Sequence, residues 1–335
     1  MSGAKSPGKR RLKKRLWLVA GFAVAAAGVI VIDYSAFPYG RTPGGRSFDR
    51  GENGLWLRYT WYFDEKSPAE VDRMCVRLVE HRIRYGYFHV RSMHKDGSLH
   101  FRYKDRAKKL INTVHKHAAG VRAIAWVYAG NEDGRGEVNL ADSHVRKKMV
   151  SEAVWLVADC GFDGVQWDYE ICSDGNESLL ALLRETRDAV PAGKLISVAT
   201  PMWLPWPVSR WGWSDEYFRR VAAECDQIAV MCYDSGFWLP RSYVWLVRQQ
   251  AIHVTRAATR TNPNCRVLLG VPSYGSAGLS HNPRAENLAF ALRGVREGMS
   301  DPAAAAKSFA GVAIFADYTT TAADWQTYNS LWLNK

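Results

Sequence analysis

Asp168 and Glu170 are the residues whose types and spacing point most directly to chemistry. They close the run Phe162-Asp163-Gly164-Val165-Gln166-Trp167-Asp168-Tyr169-Glu170. Val165, Trp167 and Tyr169 suit a strand, and Asp159, Cys160 and Gly161 precede it as a break after a helical segment. Side chains alternate along a strand, so Gln166, Asp168 and Glu170 share one face, with the Cα atoms of the two carboxylates about 6.6 Å apart. Two carboxyls so placed in a partly desolvated site resist joint ionisation. One keeps its proton and becomes available as a general acid. Asp163 falls on the opposite face, where it is expected to support the turn and the floor beneath the site.

Such a strand needs neighbours. Strand-like runs recur at 55–63, 85–90, 121–128, 162–170, 195–203, 227–234, 267–274 and 311–318. Helix-like segments lie between them near 68–83, 104–118, 140–159, 177–189, 214–224, 242–260, 284–298 and 321–333. Ser67-Pro68, Asp142, Ser214 and Thr321 provide cap-like starts. Near-continuous apolar strands alternating with helices predict a parallel sheet covered on its outside. Eight such units predict an α/β fold of the (β/α)8 TIM-barrel type, with a doubly wound sheet as the alternative. Polar aromatic residues gather at the strand C-termini: Trp61-Tyr62, Trp126 and Tyr128, Trp203, Tyr233-Asp234, Tyr274 and Tyr318. A barrel brings all of these ends around one site.

In that order, several strand ends resemble glycoside hydrolase family 18. Asp163-Gly164 with Asp168 and Glu170 is similar to the chitinase signature Asp-Gly-x-Asp-x-Asp-x-Glu, with Gln166 in the place of the middle Asp. Met231-Cys232-Tyr233-Asp234 resembles Met-x-Tyr-Asp, and Gly270-Val271-Pro272-Ser273-Tyr274-Gly275 resembles Gly-x-Pro-x-Tyr-Gly. Gly311–Phe315 looks like the eighth strand, with Phe315 where the family usually has Trp. The resemblance covers roughly residues 54–333. It implies substrate-assisted hydrolysis of β-linked N-acetylhexosamine bonds with retention, in a family exempt from the two-carboxylate scheme. Glu170 would be the general acid, Asp168 would orient the acetamido group, and Tyr233 would hydrogen-bond its oxygen. Asp234, Gln166, Trp126, Trp203, Tyr274 and Phe315 would contact substrate. No metal or organic cofactor is implied.

The chain departs from the family pattern. Gln166 removes a carboxylate, Phe315 replaces a sugar-floor Trp, and the third strand lacks the usual Gly-Gly. About 36 residues separate the seventh and eighth strands, too few for the insertion that deepens some chitinase clefts. The groove is expected to be open. A non-catalytic chitinase-like lectin on the same barrel is the alternative function; the retained Glu170 weighs against it. Trp206 and Trp238 are further candidate sugar platforms, and His89 and His94 are read as structural or exposed.

Charge and hydropathy describe the N-terminus. The net charge is +12, of which Lys5, Lys9, Arg10, Arg11, Lys13, Lys14 and Arg15 supply +7, leaving +5 over the other 320 residues. No concentrated Lys/Arg tract remains in the body, which argues against a nucleic-acid partner. Seventeen uncharged residues, Leu16–Ile32, follow the basic run. Their length suits a transmembrane signal anchor with the basic tail, 1–15, in the cytoplasm. Residues 33–53, rich in Pro and Gly, read as a tether, and 54–335 as the barrel. This predicts a single-pass cell-membrane protein with its body outside. A cleaved signal peptide, giving a secreted protein, is the alternative. The partner implied is an N-acetylated oligo- or polysaccharide. Six cysteines form no CxxC pair, and nine histidines no HExxH. Cys225 and Cys265 precede adjacent strands, so a bridge between them is geometrically open; buried thiols are the simpler reading.

Overall fold

Eight parallel strands close into a barrel in the computed structural model, which describes residues 7–36, 47–131, 138–206 and 211–335. They are β1 Asn53–Leu57, β2 Ile83–Ser92, β3 Arg122–Asn131, β4 Gly164–Glu170, β5 Leu195–Thr200, β6 Gln227–Met231, β7 Arg266–Pro272 and β8 Phe309–Phe315. Each pairs with its sequence neighbour, and β1 closes on β8 through Gly54–Ala313 and Leu55–Ile314. Helices follow the strands, among them Pro68–Glu80, Lys104–His117, Glu177–Ala189, Asp215–Glu224, Pro240–Thr261 and Leu288–Met299. This is the TIM barrel expected from the alternation. The caps form as well: Ser67 and Thr321 make capping boxes, and the side chains of Asp142 and Ser214 accept first-turn amides.

Strand alternation decides what each residue touches. On β4, Val165, Trp167 and Tyr169 pack outward beneath the helices, and Gln166 and Asp168 point into the barrel. On β1, Leu55 and Leu57 face out and Trp56 faces in. Trp56 packs inside with Tyr87, Ile124, Trp126, Leu268 and Ala313. Gly270 makes room for it: a Cβ there would lie 2.7 Å from the Val230 carbonyl oxygen, 3.1 Å from the Tyr233 ring and 3.3 Å from the Trp56 ring.

Several strands end earlier than the apolar runs suggested. Thr60–Phe63 forms a helical turn, and Met202–Trp203 leaves β5 to pair with Gly212–Trp213 in a separate two-residue ladder. The aromatic residues beyond each strand belong to loops, where side-chain packing replaces the ladder.

The N-terminal helix runs Pro7–Ala36. Its stretch Lys14–Ser35 spans 22 residues and contains an 18-residue window with a mean hydropathy of 2.2. At 1.5 Å per residue that is about 33 Å, long enough to cross a hydrocarbon core of about 30 Å. The expected tether starts later than residue 33, because Asp33–Ala36 complete the helix; residues 37–46 of it lie outside the described residues. Residues 1–6 of the basic tail lie outside them too. All six cysteines are buried free thiols; Cys225 and Cys265 approach to 3.9 Å without a bond.

Candidate active site

The C-terminal end of β4 brings Asp168 and Glu170 to the mouth of the barrel. Asp168 is 2% exposed. Its Oδ2 accepts a hydrogen bond from Trp126 Nε1 at 2.8 Å, and its buried Oδ1 has no partner among the described residues. Burial pushes the Asp168 carboxyl well above the usual carboxylate range, and the charge of Glu170 adds to this; the Trp126 bond opposes both. Glu170 is half-buried, and its carboxyl is raised by burial and then by the charge of Asp234. The two carboxyls titrate as a pair that holds a proton above the ordinary range.

Aromatic side chains wall the pair. Tyr233, at the end of β6, stacks on Phe315, at the end of β8, with centroids 4.9 Å apart and planes at 26°. Phe315 lies 5.8 Å from Trp56 and 6.2 Å from Trp126, both edge-on. Tyr274 closes against Tyr233 at 6.3 Å. Trp126 is itself backed by His89, stacked at 4.0 Å. Burial pushes the His89 imidazole down to about 3, with a further push from Arg91, so the ring is neutral at physiological pH. Its role is packing, as expected.

Two of the expected substrate contacts are placed elsewhere. Gln166 is fully buried, with its amide used at both ends: Oε1 accepts from Trp56 Nε1 at 2.8 Å and Nε2 donates to Ser197 Oγ at 3.0 Å. It fixes Trp56 from below and offers nothing to a ligand. Trp203 is 7% exposed and stacks on His253 at 3.5 Å. Gln250 bonds its backbone on both sides. It packs the ladder after β5 onto the helix Pro240–Thr261. Trp126, at 8% exposure, positions Asp168 more than it displays a surface. Asp163 supports the opposite end of the strand as expected, accepting from the Ala123 amide at 2.8 Å.

Two non-glycine residues with left-handed backbones flank the cleft: Ile171, φ 51°, directly after Glu170, and Asp234, φ 55°, directly after Tyr233. Such a conformation costs on the order of 1–3 kcal/mol and is kept only where the surroundings enforce it. At Asp234 the enforcement comes from Glu286, a fully buried residue that the sequence reading passed over. Its Oε1 accepts from the Asp234 amide, and its Oε2 accepts from the Ser235 amide at 3.0 Å and from the Ser235 hydroxyl. His281 Nδ1 lies 2.8 Å from Glu286 Oε1. Asp234, His281 and Glu286 each offer a ligand atom within 4.8 Å of the others. The hydrogens donated to Glu286 already occupy the lone pairs that a cation would need, so the group reads as a loop clamp.

Glu170, Met202, Trp211, Tyr233 and Asp234 line a cleft of about 200 Å³. Glu170, Tyr233 and Asp234 face this cleft and can present carboxyl and phenol groups to a ligand beside the Met202 and Trp211 side chains; Asp168, Tyr274 and Phe315 are not among the residues that line it. Met202, Trp211 and Trp56 carried no motif. Trp56 had one sequence signal, an inward position on β1 between outward leucines.

No protein-family model matches the chain, and no curated protein matches it. Solved structures do. The C-terminal domain of a putative chitinase from Desulfitobacterium hafniense superposes with a TM-score of 0.60 at 15% identity, covering 84% of this chain and 97% of that one. A class V chitinase from Pseudomonas fluorescens gives 0.57 at 15%, over 83% and 98%. The spore cortex-lytic enzyme SleL of Bacillus cereus gives 0.59 at 12%, over 87% and 76%. At these identities the likeness is one of fold: the chain has a chitinase-like barrel, as its resemblance to family 18 implied.

Proposed function

We propose that the protein is a glycosidase that cleaves β-linked N-acetylhexosamine bonds with retention, the substrate's own acetamido group acting as nucleophile. The buried Asp168–Glu170 pair at the barrel mouth carries this reading, and the chitinase-like fold supports it. Glu170 protonates the leaving glycosidic oxygen as the bond to the anomeric carbon breaks. The acetamido oxygen attacks that carbon and forms an oxazolinium ion. Glu170, now ionised, takes a proton from the water that opens the ion, which restores the acid. Trp126 holds Asp168 Oδ2, which suits Asp168 to positioning the acetamido group rather than to attack on the sugar. Its free Oδ1 suits the acetamido N–H and stabilises the positive charge that grows there. Tyr233 binds the acetamido oxygen, Asp234 supports the sugar side, and Phe315 and Tyr274 pack against Tyr233. The helix containing Leu16–Ile32 anchors the chain, with the barrel outside the membrane.

The deciding experiment offers aryl β-N-acetylglucosaminides, N-acetylated oligosaccharides and peptidoglycan to the protein, each with and without the N-acetyl group. Hydrolysis of the acetylated series alone, inhibited by a cyclic thiazoline, fits the proposal, because the site favours the charge of the intermediate. Rapid cleavage of de-N-acetylated sugar means a conventional two-carboxylate enzyme. Binding without hydrolysis means a lectin.

A further inference from the structure

The end of the apolar helix is fastened to the loops that carry the site. Asp33, 5% exposed, pairs with Arg241 Nε at 2.9 Å. Tyr34 donates its hydroxyl hydrogen to the Trp238 carbonyl, and Asn282 Nδ2 donates to the Tyr34 oxygen at 2.9 Å. The Arg284 guanidinium lies 5.1 Å from the Tyr34 ring centroid. Trp238 and Arg241 follow Asp234 after β6; Asn282 and Arg284 follow Tyr274 after β7. The helix therefore meets the barrel at its catalytic end.

That end also exposes large apolar side chains. Trp206 is 80% exposed, Trp211 67%, Trp238 63% and Leu279 101%. Among the described residues of the barrel, every exposed tryptophan lies at the C-terminal end of the strands or, as with Trp245, early in the helix that leaves it. Large apolar side chains left exposed together mark an interaction surface. Leu279 has no ring to stack on a sugar, and Trp238 stands beside the docked helix. Tryptophan at the end of a membrane-spanning helix sits by preference in the interfacial layer.

We propose that the catalytic end of the barrel rests on the bilayer that the helix crosses, with Trp206, Trp238 and Leu279 in the interfacial layer. The cleft then opens along the membrane surface, and its substrate is a glycan held there. The surface rests on the anchor reading, and the substrate consequence on the glycosidase reading.

The test uses the full chain in phosphatidylethanolamine–phosphatidylglycerol vesicles that carry nitroxide-labelled lipid. The six native thiols are buried, so Leu279→Cys takes a fluorophore selectively. Ala192→Cys, exposed just before β5 at the opposite end, is the reference. Quenching at position 279 should exceed that at position 192 at least ~threefold, as an interfacial position requires. Arg241→Ala should reduce the difference by loosening the dock. Equal quenching at both positions overturns the proposal. So does a label at 279 that responds to soluble N-acetylated oligosaccharide and not to lipid, or a mature chain that begins beyond Ser35. No hydrolysis is measured, so the result stands apart from the test of the glycosidase reading.

Discussion

Trp126 holds one oxygen of Asp168 and leaves the other free: its indole N–H donates to Oδ2 at 2.8 Å, and Oδ1 has no partner among the described residues. One oxygen is fixed, and the other stands one pleat below Glu170. In the proposed mechanism that asymmetry makes Asp168 a positioned acceptor.

Trp126→Phe keeps most of the ring and removes the donor. The lost bond had lowered the Asp168 carboxyl against burial, so its loss raises the carboxyl further. Asp168 must be ionised to oppose the oxazolinium charge, so the acidic limb of the pH–rate profile should move to higher pH. With one charge-assisted hydrogen bond gone, worth about 1.5–3 kcal/mol, kcat should fall by about tenfold or more. An unmoved acidic limb would separate Trp126 from the titration of Asp168.

Asp168→Asn should change stability in a pH-dependent way. Burial raises this carboxyl in the folded protein, so between the unfolded pKa and the raised one the native state binds more protons than the unfolded state. Wild-type stability therefore falls as pH rises through that window, and is intact below it. Asn carries no charge and escapes the loss. The variant should melt higher than wild type at pH 8 and alongside it at pH 4, at roughly 1.4 kcal/mol per unit of pKa displacement. An equal difference at both pH values would contradict the raised carboxyl.

Glu286→Gln tests the clamp on the loop after β6. The variant presents an NH2 group where the amides of Asp234 and Ser235 and the Ser235 hydroxyl all donate. An unsatisfied buried group costs about 1–3 kcal/mol. Thermal melts should show a loss of about 2–4 °C per kcal/mol. Because Asp234 leaves its left-handed backbone, turnover should fall by about tenfold or more even in the folded fraction. Normal kinetics with a lowered melting point would make Glu286 a purely structural residue.

The barrel and the face of β4 were legible because alternation along a strand is local. It placed Gln166, Asp168 and Glu170 together and sent Val165, Trp167 and Tyr169 outward. Residue type misled where burial depends on the closed barrel. Gln166 looked like a polar contact, yet Trp56 fills the space above it. Trp203 looked like a sugar platform, but the chain leaves β5 after Thr200 and carries it onto His253. Glu286 and His281 sit in a loop region without strand periodicity; they pair with each other, and the other partners of Glu286 are about 50 residues away at Asp234 and Ser235. Only the folded backbone joins them. The strand ends were overdrawn because Tyr233, Tyr274 and Tyr318 prolong apolar runs past the last ladder hydrogen bond.

The central claim is that Glu170 delivers a proton to a glycosidic oxygen. Its most direct test is the initial rate of release of reducing sugar from an N-acetylated oligosaccharide, whose alkoxide leaving group needs the proton, by wild type and by Glu170→Gln, with both proteins confirmed folded by thermal melts. The account predicts measurable release by wild type and a rate at least ~1000-fold lower for the variant, the scale of a lost general acid. Release by Glu170→Gln at close to the wild-type rate would contradict it.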